Sequence, residues 1–388
     1  MTTYPSSSLS PTPALTDAAT LDAALDCLLE HVPLKLESTY FGCADLFEML
    51  LRAASRHDSI EHTAQRLNGV PSGNGIRYHL DKLDDMASLE RHLNQALQSR
   101  IPPKIRQGRH RLAIDLHLIA YYGNPNEAEA PYIYRSQAKA GTTSFFAYAT
   151  VYVICRNKRV TLGIHAVHRQ ETLVATITYL LAMLSPLRMR VKRLYLDRGF
   201  YSVPVIRWLK ALNIPFLMPA VIRGKTGGTR QLLVGRKSYA TGYTLTSANY
   251  GSVTCQMRVV CTYYKGFKGK HGIQYALYVV HRVTIALHQL HQHYKDRFGI
   301  ETSYRIKNQG RIRTTSKNPV VRLLFVALAF VLVNLWVYLL WFFVSQTHWG
   351  GRVIHRELFG LKTMLEFLSH AVERHFPPIT AIYLPALE

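Results

Sequence analysis

The chain has 388 residues, enough to bury a substantial core in two or three domains. Lys and Arg number 47 against 24 Asp and Glu, a formal charge of +23, and such an excess points to a polyanionic partner, either nucleic acid or an anionic membrane. The five cysteines (Cys27, Cys43, Cys155, Cys255 and Cys261) are scattered, odd in number and without a Cys-x-x-Cys pair, which argues against a disulfide framework or structural zinc and for a reduced, intracellular chain.

Residues 1–18 are rich in Ser, Thr and Pro and lack the basic and apolar regions of a signal peptide, so they read as a disordered lead-in. Residues 19–108 read as a helical domain. Apolar residues at three- and four-residue steps predict helix over 21–51. Asp58 or Ser59 can cap a short helix ending near Asn68 and Gly69, and Ser72 or Asn74 can start a second one carrying Arg77, Tyr78, His79 and Lys82. Two short helices about a Gly-containing turn have the outline of a helix-turn-helix, although a plain helical hairpin has the same pattern. Arg77 and Lys82 are its candidate DNA contacts. The basic, Pro-containing stretch 101–110 marks the domain boundary.

Residues 109–222 mix strands and helices. Residues 111–119 predict a strand that is apolar on both faces and therefore central. An ionised Asp115 in the middle of it is expensive unless paired or metal-bound, and His117 faces the same way. Strands are predicted over 145–155 and 159–167 and a helix over 172–184. A strand over 189–197 ends in Asp197 and runs into Arg198-Gly-Phe-Tyr-Ser202. Gly199 permits a tight turn at the strand's carboxyl end, where open α/β sheets place their sites. A short helix over 203–212, with Pro204 in its first turn, and a strand over 214–219 complete this part.

Residues 223–284 change texture to Gly, Thr, Tyr and Val. They predict strands over 253–263 and 274–280, with Lys265, Lys268 and Lys270 on a Gly-rich loop, and so a β-rich insertion. In residues 285–388 a helix begins near Ile285. His288, His291 and His293 decorate its start, but no acid or cysteine completes a known zinc ligand spacing. Tyr294, Arg297 and Glu301 follow at i, i+3 and i+7, one face of a helix. Around them Lys295, Arg305, Lys307, Arg311, Arg313 and Lys317 face only Asp296 and Glu301, a density of cations suited to phosphates beside anionic ligands. Residues 323–344 are apolar except for Asn334. Hydropathy alone would make this a membrane span, but a buried core helix is also apolar all round, and Asn334 then needs a buried partner. Residues 358–372 predict a last amphipathic helix.

Asp115, Asp197 and Glu301, two acids on strands and one on a late helix, suit two-metal phosphoryl chemistry. Crowded carboxylates repel unless divalent cations neutralise them. Hard oxygen ligands select Mg²⁺ or Mn²⁺, and two such ions can activate the attacking oxygen and stabilise the leaving one. In these motifs the sequence resembles the DDE transposases of bacterial and archaeal insertion sequences, over roughly residues 109–344. Ile114-Asp115 and Leu196-Asp197-Arg-Gly-Phe-Tyr-Ser202 look like the first and second acidic motifs. Tyr294, Arg297 and Glu301 match the Tyr-x2-Arg-x3-Glu signature of the branch with a β-rich insertion before the glutamate. That branch continues with a lysine seven residues after the glutamate, where this chain has Asn308. Lys307 is one short, and Arg305 stays on the face.

The resemblance implies an α/β fold: a ribonuclease-H-like mixed sheet flanked by helices and interrupted by the β-rich insertion, behind the N-terminal helical domain. It implies an enzyme that cuts and joins DNA, with Asp115, Asp197 and Glu301 holding two Mg²⁺ or Mn²⁺ ions. Tyr294, Arg297 and Lys307 or Arg305 would meet phosphates near the scissile bond. The partner is double-stranded DNA, as element ends and target, with a homodimer in the DNA complex among the arrangements allowed. A cytoplasmic, DNA-associated protein without a membrane follows. Two other readings stay open: a DNA-binding protein with an inactive core, and a membrane-anchored basic protein with one span at 323–344 behind the polybasic stretch 305–317.

Overall fold

The computed structural model describes residues 14–36, 40–83, 85–103, 105–155, 158–266, 271–349 and 351–382, without the side chains of 158, 159, 265, 271, 298 and 300–303. Five helices come first, and capping chemistry sets their ends. Helix α1 (Asp17–His31) starts on Thr16, whose hydroxyl accepts from the Ala19 amide, and stops just before Pro33, which disfavours helix in the residue ahead of it. Helix α2 (Cys43–Arg56) starts at Gly42 and ends on His57 in the left-handed region, φ 55°. The helical stretch expected over 21–51 is therefore two helices. Helices α3 (Ile60–Ala64) and α4 (Gly73–Leu80) are capped by the hydroxyls of Ser59 and Ser72, as their spacing predicts, and α5 (Met86–Ser99) by Asp85.

A nine-stranded mixed sheet forms the centre. Its strand β1 (Gly108–Ala120) lies antiparallel to β3 (Thr142–Cys155) and parallel to β5 (Met189–Leu196). Strands β2 (Ile133–Lys139) and β4 (Lys158–Ala166) share the other edge of β3. No apolar run announces β2, because Ile133 is its only buried residue. Strand β6 (Phe216–Pro219) runs parallel to β5 through a crossover containing α7 (Val203–Ala211), with Pro204 in its first turn. Helix α6 (Leu173–Ala182), capped by Thr172, precedes β5. Beyond β6 the sheet continues antiparallel through β9 (His271–His281), β8 (Gly251–Lys265) and β7 (Tyr239–Ser247). The β-rich segment thus extends the central sheet and covers the β6 edge, which would otherwise offer unpaired backbone groups. Lys268 and Lys270 lie outside the described residues.

The expected acid-bearing helix is broken into steps. Helix α8 (Leu287–Lys295) passes through a 3₁₀ turn (Asp296–Phe298) into α9 (Gly299–Lys307) and a second 3₁₀ turn (Asn308–Gly310). A Cβ at position 299 would come within 3.3 Å of the Tyr152 hydroxyl, so glycine lets α9 begin tight against β3.

Helix α10 (Pro319–Phe342) is long and apolar enough to cross a membrane, yet 94% of its most apolar stretch is buried. It packs on β4, α5 and α9. Asn334, 1% exposed, donates to the carbonyls of Leu97 (2.9 Å) and Thr161 (2.7 Å) and accepts from the Thr161 amide (3.1 Å). These are the partners a buried mid-helix amide requires. A hairpin of β10 (Ser345–His348) and β11 (Gly351–Ile354) leads to α11 (Leu361–His375). Helix α11 returns to the first helices: Glu373 pairs with Arg52 at 2.7 Å and Arg56 at 3.4 Å, His375 with Glu48 at 2.9 Å, and Arg374 with Asp17. Helices α1 and α2 therefore pack with α11, and α1 and α11 both also touch α10. A second polar link joins α5 to the sheet. Each ring nitrogen of His165 on β4 meets a carboxylate at 2.8 Å, Glu90 on one side and Glu171 on the other. Burial opposes the charge on His165, but the two carboxylates outweigh it and raise its pKa to about 9.

Candidate active site

Asp115 and Asp197 meet because of strand register. Ile114 on β1 is the partner of Leu196 on parallel β5, so the two aspartates follow as neighbours at the carboxyl end of that pairing, on strands about 4.8 Å apart. One guanidinium spans them. Arg297 Nη1 lies 3.4 Å from Asp115 Oδ2, and Nη2 lies 3.3 Å from Asp197 Oδ1. The arginine side chain is 4% exposed, that of Asp115 13% and that of Asp197 43%. The first contact is thus nearly dry and the second half open to solvent. Asp115 Oδ1 also accepts from the Leu116 amide at 3.0 Å.

Tyr294 supports this bridge from beneath. Its hydroxyl donates to the Leu196 carbonyl at 3.3 Å, and its ring centre lies 5.5 Å from the Arg297 guanidinium. Burial pushes its phenol well above the usual tyrosine range. Tyr294 and Arg297 are therefore internal links in this geometry, where exposed phosphate contacts were expected. Two further tethers were not anticipated. Arg111 at the start of β1 pairs with Asp296 at 2.8 Å. The Tyr304 hydroxyl bonds the Thr150 hydroxyl at 2.6 Å and donates to the Asp115 carbonyl at 3.3 Å. Helix α9 is thereby fastened to β1 and β3 at the level of Asp115. The sequence signal for Tyr304 was available, since it lies one turn after Glu301. Glu301 itself sits near the start of α9, and its side chain lies outside the described residues.

The expected cations separate into two kinds. Arg305 and Arg313 are exposed and Arg311 is half-buried. Lys307 is 0% exposed, and its ammonium lies 5.0 Å from the Phe330 ring centre, with no hydrogen-bond partner among the described residues. Burial, then the charge of Arg311, pushes its pKa well below the usual lysine range. The helical step that turns position 307 away from the Glu301 face places it in the core, so in this conformation Lys307 offers no exposed surface while Arg305 does.

The segment after α9 also binds the N-terminal helices. The Arg311 carbonyl lies 2.6 Å from His57 Nδ1, and the Arg313 amide donates to the Asp58 carbonyl at 2.9 Å. A groove of about 550 Å³ results, with Arg77 and Arg313 among its lining. Arg77 pairs there with Glu61 at 2.9 Å, and Lys82 lies 4.3 Å over the Tyr78 ring. Among the described residues no three His, Cys, Asp or Glu side chains gather into a metal-sized group. His291, for one, is engaged by the Tyr278 hydroxyl at 2.6 Å.

The family model described as a transposase DDE domain matches residues 106–335, more than half of the chain and all of the strands and helices just described around Arg297. No curated protein matches. Among solved structures, the cryo-EM structure of a piggyBac transposase synaptic complex with hairpin DNA is similar, with a TM-score of 0.54 over 91% of this chain and 77% of that one. At 13% identity that likeness speaks for the fold alone.

Proposed function

The chain belongs to the transposase DDE domain family, and from that premise we propose that Asp115, Asp197 and Glu301 are its catalytic acids. A transposase of this family is a divalent-metal-dependent enzyme that cleaves and joins DNA strands. The observation that carries the assignment is the Arg297 bridge: two carboxylates from neighbouring parallel strands share one cation. A pair of hard, partly open oxygen donors already facing a positive charge fits Mg²⁺ or Mn²⁺, with Glu301 of α9 as the third ligand. Two such ions, when bound, would activate the attacking oxygen and stabilise the leaving one.

The chain's own groups prepare that site. Strand register sets the two aspartates side by side, and Tyr304 and Arg111 fix the approach of the α8–α9 segment. With a bound metal neutralising the two aspartates, the Arg297 guanidinium would be free to meet a phosphate of the bound strand. The exposed Arg305 and Arg313, with Arg311, then offset backbone charge beside the acids, and Arg77 and Lys82 extend the contact along the duplex. The DNA would be the element's own ends and a target, held in a homodimer, and the protein would work in the cytoplasm wherever that DNA lies. We divide the chain into DNA-binding helices (19–108) and a catalytic core in two parts (109–222 and 285–388), with 223–284 extending the core's sheet. Burial of α10 supports a core helix in place of a membrane span.

The test uses DNA bearing the element ends. Asp115→Asn and Glu301→Gln should bind it as the wild type does and lose cleavage in Mg²⁺, because each removes a ligand and leaves the cations. Full strand cleavage by Glu301→Gln would sink the assignment. Cleavage absent from the wild type as well would favour the reading as a DNA-binding protein with an inactive core.

A further inference from the structure

Past Asp115, β1 runs into a recess that lies beside the proposed acids and holds none of them. A cavity of about 680 Å³ opens between residues 117–123 and the segment 308–326. His117, Arg311, Lys317 and Arg322 line it beside Tyr121 and Phe325, and no Asp or Glu lines it among the described residues. The arginines are held there at a cost, since burial pushes the pKa of both Arg311 and Arg322 below the usual range. Arg322 stacks 4.7 Å over the Phe146 ring and donates to the Ser316 carbonyl. Glu129, whose charge Arg322 feels, is already engaged by the Tyr121 hydroxyl at 2.6 Å. Behind this wall His117 Nε2 and Lys307 Nζ are buried without hydrogen-bond partners among the described residues. Arg311 and Arg322 remain charged and half-buried with no carboxylate paired to them among the described residues, which is unfavourable unless a ligand supplies an anion.

Shape narrows the ligand. A recess of about 680 Å³ has room for a single nucleotide and not for a whole duplex, whose major groove alone is ~12 Å wide. The volume lies within the range of small-ligand pockets. At its mouth the Tyr122 ring, 73% exposed, suits a base, which stacks on aromatic surfaces whatever its identity. Its place along the strand matters too: His117 lies two residues beyond Asp115 on the same face, roughly 7 Å along β1.

We propose that this cavity binds a phosphate carried on a single DNA strand, with Arg311, Lys317 and Arg322 on the phosphate and the Tyr122 ring on its base. The inference rests on the transposase reading and deepens it, giving the strand beside the cleavage point a pocket separate from the acids.

The test is fluorescence anisotropy with the full-length protein in EDTA, so that no cleavage intervenes. The probes are a short single-stranded oligonucleotide and a duplex, with inorganic phosphate and a nucleoside monophosphate as competitors. Lys317 is exposed, so Lys317→Glu should keep the fold while placing a carboxylate against the ligand. Arg322→Gln removes a buried charge, and if it fails to fold, Lys317→Glu decides. Each variant should weaken single-strand binding about tenfold or more, the order expected for a lost hydrogen bond to a charged group, and weaken duplex binding far less. Equal losses for single strand and duplex, or no loss in folded variants, would overturn the proposal. Displacement by inorganic phosphate as readily as by unlabelled strand would overturn its single-strand part. Asp115→Asn should bind the single strand normally. Full Mg²⁺-dependent cleavage by Asp115→Asn would refute the catalytic reading without touching this binding result, so the two can fail separately.

Discussion

Replacing Arg297 by Met should expose how the site holds its charge without metal. Methionine keeps the apolar stem and the packing on Tyr294 but removes the guanidinium. Arg297 and Asp115 form a nearly dry pair, 4% and 13% exposed, and losing one partner of a buried pair costs about 3–5 kcal/mol. Asp197 is 43% exposed, so water answers for most of its share, about 0–1 kcal/mol. A carboxylate left alone can also escape by taking a proton. For an ordinary aspartate that caps the loss at ~4 kcal/mol at pH 7 and ~1.5 kcal/mol at pH 5. The expectation is therefore a destabilisation of about 3–4 kcal/mol at pH 7 in EDTA that shrinks to about 1.5 kcal/mol at pH 5. Mg²⁺ should then stabilise the variant more than the wild type, because it no longer competes with the guanidinium. Ligand at a hundred times its dissociation constant contributes about 2.7 kcal/mol, enough to recover most of the loss. Urea unfolding at both pH values, with and without Mg²⁺, reads all of this. An equal loss at pH 5 and pH 7 would mean that packing, not charge, was removed. An equal Mg²⁺ effect on both proteins would mean that Arg297 does not occupy the metal's role.

Two other perturbations follow from buried charges. His165 has a folded pKa of about 9 against about 6.5 unfolded. Its contribution, on the order of 3 kcal/mol, should be full below pH 6.5 and disappear as pH rises through 9. His165→Gln should abolish that slope in urea unfolding, and an unchanged slope would show that the carboxylate–imidazole–carboxylate link is not its source. Lys307, depressed by burial, acts in the opposite sense: it opposes folding most at low pH and ceases to do so near pH 10. Lys307→Met should then stabilise the protein by about 1–4 kcal/mol at pH 6, with the gain fading toward pH 10, and leave DNA affinity unchanged. A loss of affinity in the anisotropy assay would mean that α9 turns Lys307 outward when DNA binds.

Much of the fold is legible where local chemistry is strong. Ser59, Ser72 and Thr172 mark helix starts by their own hydroxyls. The apolar residues on both sides of Asp115 mark a central strand, because only a strand covered on both faces can be apolar on both. Asn334 marks α10 as a core helix, since its amide demands the Thr161 and Leu97 partners it finds. Elements stabilised by long-range pairing left weaker traces. Strand β2 is polar along nearly its whole length and exists because β3 offers it an edge. The β-rich segment was visible as strands, but nothing local says that β9 will pair with β6 and lengthen the central sheet.

The site divides along the same line. Acid identity and strand position were readable, because a carboxylate in an apolar strand needs a reason. The spacing of Tyr294, Arg297 and Glu301 was readable too, but it carried an assumption of one continuous helix. The 3₁₀ turn at Asp296–Phe298 breaks that continuity, and it forms where Arg111 holds Asp296 from 185 residues away. Arg297 is therefore aimed by a tertiary ion pair as well as by helical period, which is how a residue expected at a phosphate comes to bridge two carboxylates. The same limit applies to Lys307. Spacing said only that it leaves the Glu301 face. Whether that turned it toward solvent or core depended on Phe330, on a helix that follows in the chain but packs back across α9. Composition counted Lys307 among the DNA-facing cations, whereas packing buries it and leaves Arg305 and Arg313 exposed and Arg311 half-buried.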